Sequence, residues 1–375
     1  MEFIDLKAQY RALKPEIDAN IQAVLDAGQF IGGPYVKELE RQLAEYVGRK
    51  HCISCGNGTD ALQAAYMALG VGEGDAVFCP DCTFIASVEP ANMLGATPVF
   101  CDVSMDSYNL APESLERQIQ AVLSEGKLKP RVVVAVDFLG NPCDYDAIAA
   151  ICDKYGLTLL EDAAQSMGAS YKGKMCCSFG TISTTSFFPS KTLGCYGDGG
   201  AIFTDDDALA DLLRSICVHG KGPGGKYDNI RAGVNSRLDN LQAAILLPKL
   251  EALEEYEIRD REAAAGRYSA AFQGKFVLPP VEQDSQHSWY QYTLLAADTG
   301  QRARLIAHLK ERGIPTNLYY PTPMHMLPVF RALETYGETY PNAVEYCNRT
   351  ISIPMHPYLE ESVQDEIVKA VLETL

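Results

Sequence analysis

The stretch His51-Cys52-Ile53-Ser54-Cys55-Gly56-Asn57-Gly58-Thr59-Asp60, running on through Ala61-Leu62 and Ala65-Tyr66 to Leu69, decides how the chain is read. Five residues of strand character end at a Gly-Asn-Gly turn, and an amphipathic helix follows at once. A strand that feeds a helix through such a turn turns free backbone N–H groups and the positive end of the helix dipole outward, which suits an anion such as a phosphate. Thr59 or Asp60 as a plain N-cap accounts for the same residues equally well.

Outward from there the alternation repeats. Residues 76–79, 98–103, 132–138 and 157–160 read as apolar strands, separated by helical patterns at 83–94 (interrupted by Pro90), 112–123 and 144–155. Apolar strands alternating with helices predict βαβ units and a mostly parallel sheet covered on both faces. Ligands of such sheets sit at the carboxyl ends of strands, where the Gly58 turn, the residues after Cys79 and the pair Glu161-Asp162 converge. Two helices precede this core: one over 11–27, with Pro15 near its start, and one after Gly32-Gly33-Pro34. Beyond it, 205–218 reads as a helix. Gly220-Lys221-Gly222-Pro223-Gly224-Gly225 has dinucleotide-fingerprint spacing but follows a helix instead of a strand, so it reads as a loop. Gly233 to Ala244 opens a long helix that bears Pro248 and runs toward Tyr268. That helix divides the chain into a large domain, 1–245, and a smaller α/β domain, 246–375, with a strand near 290–296, a helix at 302–312 and a final helix.

Composition narrows the function. The 375 residues are 47% hydrophobic and 22% charged, with 32 basic against 49 acidic residues and a net charge of −17. This balance argues against a nucleic-acid surface. No apolar run approaches the roughly 18 residues that span a bilayer, and the first residues lack a secretory pattern, so a cytoplasmic location is expected. Among the 12 cysteines, Cys52-x-x-Cys55 and Cys79-x-x-Cys82 imitate halves of a zinc site. In a strand, however, residues three apart face opposite sides, and no metal is expected.

Ser186-Phe187-Phe188-Pro189-Ser190-Lys191 and the glycine-rich Gly194-Cys195-Tyr196-Gly197-Asp198-Gly199-Gly200 raise a sharper question. A lysine among aromatic and apolar neighbours at a strand end is suited to Schiff-base chemistry, because desolvation eases loss of its proton. A surface loop lysine is the plain alternative. Asp162, at another strand end, offers a carboxylate for a pyridine nitrogen. With Lys191 and a phosphate site at Gly58-Thr59, it completes the polar anchors that pyridoxal phosphate requires.

Asn57-Gly58-Thr59-Asp60-Ala61-Leu62, Glu161-Asp162-Ala163-Ala164-Gln165-Ser166, Ser186 to Lys191, Gly197-Asp198-Gly199-Gly200 and Gly233 to Leu241 resemble the successive motifs of the DegT/StrS family. These are pyridoxal-phosphate-dependent nucleotide-sugar aminotransferases of the aspartate aminotransferase fold, fold type I. The resemblance runs in order over essentially the whole chain. It implies a large domain with a seven-stranded-type, mostly parallel sheet, and roles for particular residues. Lys191 is expected to hold the cofactor as a Schiff base and then act as the acid/base, and Asp162 to face the pyridine nitrogen. Gln165 is expected at the ring hydroxyl, Phe84 on the ring face, and Gly58, Thr59 and Ser186 at the phosphate. Asn235 is expected to reach the phosphate of a neighbouring subunit, in a homodimer with composite sites, and Arg237 to approach substrate across the same interface. Tyr319 and His325 match a segment near the nucleotide diphosphate.

The same resemblance implies a cofactor that alternates between pyridoxal and pyridoxamine phosphate as L-glutamate (or glutamine) gives 2-oxoglutarate and a keto-sugar nucleotide is aminated. Ser236, between Asn235 and Arg237, resembles the branch acting at C3. The whole pattern resembles enzymes that aminate UDP-2-acetamido-2-deoxy-3-oxo-glucuronate for bacterial surface polysaccharide. Another dTDP-, UDP- or GDP-keto-sugar, at C3 or C4, is the alternative. A pyridoxal-phosphate lyase using Cys195, or a regulator that binds the cofactor without turnover, stands further off.

Overall fold

The computed structural model describes residues 1–225 and 227–375. Helix α1 (Leu6–Ala27) starts earlier than the sequence suggested, because the Asp5 carboxylate accepts from the Ala8 N–H at 2.8 Å and caps it; Pro15 lies inside. Helix α2 (Pro34–Val47) begins at Pro34, where a missing N–H costs nothing. Then come β1 (His51–Cys55), α3 (Gly58–Ala68), β2 (Asp75–Pro80), α4 (Glu89–Met93), β3 (Thr97–Cys101), α5 (Pro112–Glu125), β4 (Lys129–Val136), α6 (Tyr145–Tyr155) and β5 (Thr158–Asp162). The helix expected over 83–94 is broken. A 3-10 turn, Ile85–Ser87, precedes α4, whose first turn holds Pro90. Two short strands, β6 (Ser170–Tyr171) and β7 (Lys174–Met175), lead to β8 (Ile182–Ser186), β9 (Gly200–Thr204) and α7 (Asp207–Ile216).

Seven strands form one sheet in the order β1-β9-β8-β5-β4-β2-β3. Pairings β2–β3, β2–β4, β4–β5 and β5–β8 are parallel, and β9 runs antiparallel to both β8 and β1. The mostly parallel α/β sheet read from the sequence is therefore observed. Cys52 packs into one apolar cluster and Cys55 into another, as strand alternation requires. All twelve cysteines are free and buried.

The segment 233–239 corrects the sequence reading: it is extended, and α8 (Asn240–Ala252) starts only after Asp239. Its backbone is engaged elsewhere, since the Val234 N–H donates to Ile216 O at 2.8 Å and the Ser236 N–H to Cys217 O at 2.9 Å. A π-helical turn, Leu253–Glu257, links α8 to α9 (Ile258–Phe272). Helix α8 packs on α1 and α2. Strand β10 (Ser285–Gln286) pairs with β6, and β11 (Tyr292–Leu295) with β12 (Thr350–Ile353), flanked by α10 (Thr299–Glu311), α11 (Pro341–Arg349) and α12 (Glu361–Leu372). Helix α11 was not foreseen. A separate apolar core joins α9, β11, α10, β12 and α12. Among the described residues, no helix is long and apolar enough to cross a membrane.

Candidate active site

The carboxyl ends of β1, β2, β5 and β8 meet at a cavity of about 660 Å³. Its walls include Gly58 and Thr59 from the start of α3, Phe84 from the turn after β2, and Asp162 and Gln165 after β5. Ser186 and Lys191 after β8, and Tyr290, Tyr319 and Tyr320 from the C-terminal half, close it.

At one end lies the first turn of α3. Neither Thr59 nor Asp60 is the N-cap; the Asn57 side-chain oxygen accepts from the Asp60 N–H at 2.8 Å. Gly58 sits so close to β8 that a Cβ there would lie 2.8 Å from the Ser186 Cβ, so the turn and Ser186 form one cradle. Ser236 is committed to the same turn. Its hydroxyl accepts from the Gly56 N–H at 2.8 Å and donates to Asp60 Oδ2 at 2.6 Å. It therefore props the cradle.

At the other end Asp162, 5% exposed, ends β5. Ser87 Oγ donates to its Oδ2 at 2.7 Å, the Ala164 N–H donates to Oδ1 at 3.2 Å, and Thr83 Oγ1 stands 2.9 Å behind Ser87. Burial raises the Asp162 pKa, and the Ser87 hydroxyl, the Ala164 N–H and the Lys191 charge pull it back. A buried carboxylate opening on a cavity calls for a cation or N–H donor there. Gln165 Oε1 accepts from the Leu139 N–H at 2.8 Å, which leaves the amide nitrogen as the donor for the cavity. Lys191 is half-buried, its Nζ 4.7 Å from the centroid of the Tyr290 ring. Phe84 is 53% exposed, its ring 6.1 Å from that of Tyr320. An anion cradle, a buried carboxylate, an amide donor, an amine and an unburied aromatic face match the polar and apolar edges of pyridoxal phosphate. The donor set fits that cofactor.

Of the residues named from sequence, Tyr319 joins this cavity, its ring 6.4 Å from Tyr290. Three lie apart from it. Asp81 holds His325, accepting from its backbone N–H at 2.8 Å and contacting its Nδ1 at 2.6 Å, and the imidazole stacks 4.5 Å from Tyr340. Burial raises Asp81 to about 6 against the pull of His325. Asn235 makes an isolated bridge to Val218, and Arg237 donates to the Asn235 side chain at 2.7 Å on the exposed side. Ser87, Tyr290 and Tyr320 went unnoticed in the sequence. Ser87 had one local signal, a lone hydroxyl within the apolar run Phe84 to Val88 ahead of Pro90.

A further buried group, Asp137, Glu161 and Cys176, brings possible metal-ligand atoms within 4.8 Å of one another. Its carboxylate oxygens already accept from protein donors: Tyr145 OH, the Cys143 N–H and Ser166 Oγ for Asp137, and the Cys177 and Phe179 N–H groups for Glu161.

Comparison with known proteins shows the family. The chain is 48% identical over 361 residues to the UDP-2-acetamido-2-deoxy-3-oxo-D-glucuronate aminotransferase of Pseudomonas aeruginosa, covering 96% of each. It is 42% identical over 374 residues to a Geobacillus stearothermophilus protein named a pleiotropic regulatory protein, covering 99% of this chain and 97% of that one. A solved DegT DnrJ EryC1 StrS aminotransferase from Brucella abortus superimposes with a TM-score of 0.96 at 44% identity, covering 100% and 99% of the two chains. Structural neighbours have been solved in pyridoxal- and pyridoxamine-phosphate forms. The model of the DegT/DnrJ/EryC1/StrS aminotransferase family matches residues 11–372, and the chain belongs to this family of pyridoxal-phosphate-dependent sugar aminotransferases.

Proposed function

We propose that this enzyme moves the amino group of L-glutamate to C3 of UDP-2-acetamido-2-deoxy-3-oxo-glucuronate, as a cytoplasmic homodimer serving surface-polysaccharide synthesis. The observation that carries the chemistry is the meeting of buried Asp162, half-buried Lys191 and the Gly58–Ser186 cradle in one cavity. The likeness to the Pseudomonas enzyme supports the substrate. Twelve free, buried thiols fit a reducing compartment.

Bound pyridoxal phosphate supplies an aldehyde that condenses with amines and a protonated ring that takes up electron density. The protein's part is positioning and proton transfer. The α3 amides and Ser186 would hold the phosphate. Asp162, fixed by Ser87 and Ala164, would keep a proton on the ring nitrogen, and the Gln165 amide nitrogen would donate to the ring oxygen. Lys191 Nζ would act as the base that takes the proton from the glutamate Cα. In the second half-reaction it would deliver one to the sugar carbon that receives nitrogen. Asn235 and Arg237 lie outside their own chain's cavity, which fits donation to the partner's phosphate and substrate. Tyr319 and His325 are assigned to the nucleotide side.

The purified protein is expected to be yellow, with an absorbance that shifts on adding glutamate. An unchanged spectrum with glutamate, and a changed one with another amino acid, refutes the donor. A panel of UDP- and dTDP-keto-sugars tests the acceptor, and faster turnover of a 4-keto sugar overturns the C3 assignment. For the shared site, inactive Lys191→Ala mixed with inactive Arg237→Ala is expected to regain about a quarter of parent activity, since one of two sites in each heterodimer is intact. No recovery after confirmed subunit exchange refutes donation in trans. The name of the Geobacillus relative favours a second reading, a regulator without turnover. The presence of Lys191, Asp162 and Ser186 together in one cavity supports catalysis instead.

A further inference from the structure

We propose that Lys249 is a positioning residue for the reaction: together with Gln242 it grips the backbone of the loop from Phe187 to Gly199 from behind and holds Lys191 toward the cavity.

Lys249 is 1% exposed, inside helix α8. Its sequence neighbours Leu246 and Leu250 belong to the apolar cluster that also contains Leu193 and Cys195 of the loop. Among the described residues it forms no salt bridge. Its Nζ donates to Gly194 O at 2.7 Å and lies 4.1 Å from the centroid of the Tyr196 ring. A buried ammonium without a paired carboxylate is costly, and a leucine or methionine would fill such a site without that cost. Its presence points to the group it serves.

That group is a crowded turn. The Phe187 N–H donates to Gly199 O at 2.7 Å, the Cys195 N–H to Phe187 O at 2.8 Å and the Lys191 N–H to Phe188 O at 2.8 Å. Gly194 is pressed so closely that a Cβ would lie 2.5 Å from Pro189 O and 2.8 Å from Phe188 O. Gly194 is thus wedged against the carbonyls of Phe188 and Pro189 with no room for a side chain, and the Lys249 ammonium fixes it there by its own carbonyl oxygen. Two helical turns earlier on α8, Gln242 Oε1 accepts from the Tyr196 N–H at 2.8 Å. One helix face therefore holds the loop by a carbonyl and an N–H on either side of Cys195. Burial lowers Lys249 to about 8, against the pull of Glu257 and Cys195.

The inference rests on Lys191 being the reacting amine, and the test separates the two claims. Apoenzyme is given pyridoxal phosphate, quenched with borohydride at intervals and mapped by peptide mass spectrometry, for the parent, Lys249→Met and Lys249→Arg. The expected result is label on Lys191 in every protein, accumulating about tenfold more slowly in Lys249→Met. In that variant kcat is expected to fall about tenfold with KM for glutamate within twofold, and the arginine is expected to restore most of both losses. The melting temperature of Lys249→Met is expected to stay level or rise, because a buried charge is removed. Parent-like trapping and kcat in Lys249→Met overturn the proposal. So does a loss of several degrees in melting temperature that tracks the loss of kcat and is not restored by arginine, which marks a residue that only stabilises. Absence of label on Lys191 in the parent overturns the assignment of Lys191 itself, and the clamp with it.

Discussion

Strand β5 ends with two carboxylates in a row, and its two faces use them oppositely. Glu161 is fully buried and Asp162 5% exposed, and burial raises the pKa of both. Asp162 opens on the cavity, held by one hydroxyl and one N–H. Glu161 points to the other face, sealed by the Cys177 and Phe179 N–H groups at 2.6 and 2.7 Å. A raised pKa therefore does not identify the working carboxylate here. What separates the pair is that Asp162 has a face left for a partner that the chain does not supply, while both oxygens of Glu161 are taken.

The sharpest way to break this contrast is Asp162→Asn. An amide cannot hold a proton on a ring nitrogen, and kcat is expected to fall by about 10³-fold, with weaker cofactor retention, read by single-turnover kinetics and absorbance. A fall of under tenfold would place the ring elsewhere. A smaller loss is expected from Ser87→Ala. The Ser87 hydroxyl lowers the Asp162 pKa, so its removal lets that pKa rise. Asp162 must be ionised to work, so activity is then lost at a higher pH on acidification. A drop of about tenfold in kcat near neutrality and an acid limb moved upward in the pH–rate profile are expected, both reversed by Ser87→Thr. An unmoved limb would leave Ser87 as packing alone.

Much of this site was legible because its cues are local. Gly58 lies in a strand–turn–helix passage, Asp162 at the end of an apolar run, and Ser186 and Lys191 in one stretch. The C-terminal wall was legible only in part, through Tyr319. Ser87 acts on Asp162 across 75 residues of sequence, and what turns it inward is a 3-10 turn where the pattern suggested a helix interrupted only at Pro90. Tyr290 reads only as the start of a strand near 290–296, with no cue of its own for a place in the cavity. Lys249 sits in an apolar helical run, where its spacing says nothing about a loop on the far side of α8. The extended run 233–239 misled because it leads straight into the helical pattern of α8, whereas its own glycine, valine, asparagine and serine favour helix weakly and partners at Ile216 and Cys217 claim its backbone. Local pattern located the strand ends, whereas the groups that hold them in place come from contacts between distant segments.

The remaining test concerns the sealed face. Burial and Asp137 push Glu161 up to about 8, opposed by Ser183 and the two N–H donors. A carboxyl whose folded pKa lies above its unfolded value near 4.5 keeps its proton in the folded chain over a range where the unfolded chain has released it. Folding stability is then present in full at the acid end of that window and declines as pH rises from about 4.5 to about 8, the reverse of a salt-bridged carboxylate. Asp137, also raised by burial, adds a decline of the same sign. Glu161→Gln removes one of the two titrations, so the fall in urea midpoint between pH 5.5 and 7.5 is expected to be shallower than in the parent. The variant is expected to be about 1–3 kcal/mol less stable at the acid end, since one backbone N–H then faces an amide NH₂. Its kcat, measured at 25 °C where it stays folded, is expected within about threefold of the parent. Equal pH slopes in the two proteins would mean that Glu161 is ionised throughout, its charge held by the Cys177 and Phe179 amides. A kcat lost as deeply as in Asp162→Asn would mean that the two faces of β5 are coupled, because the 176–179 turn anchored by Glu161 would then set where Asp162 stands.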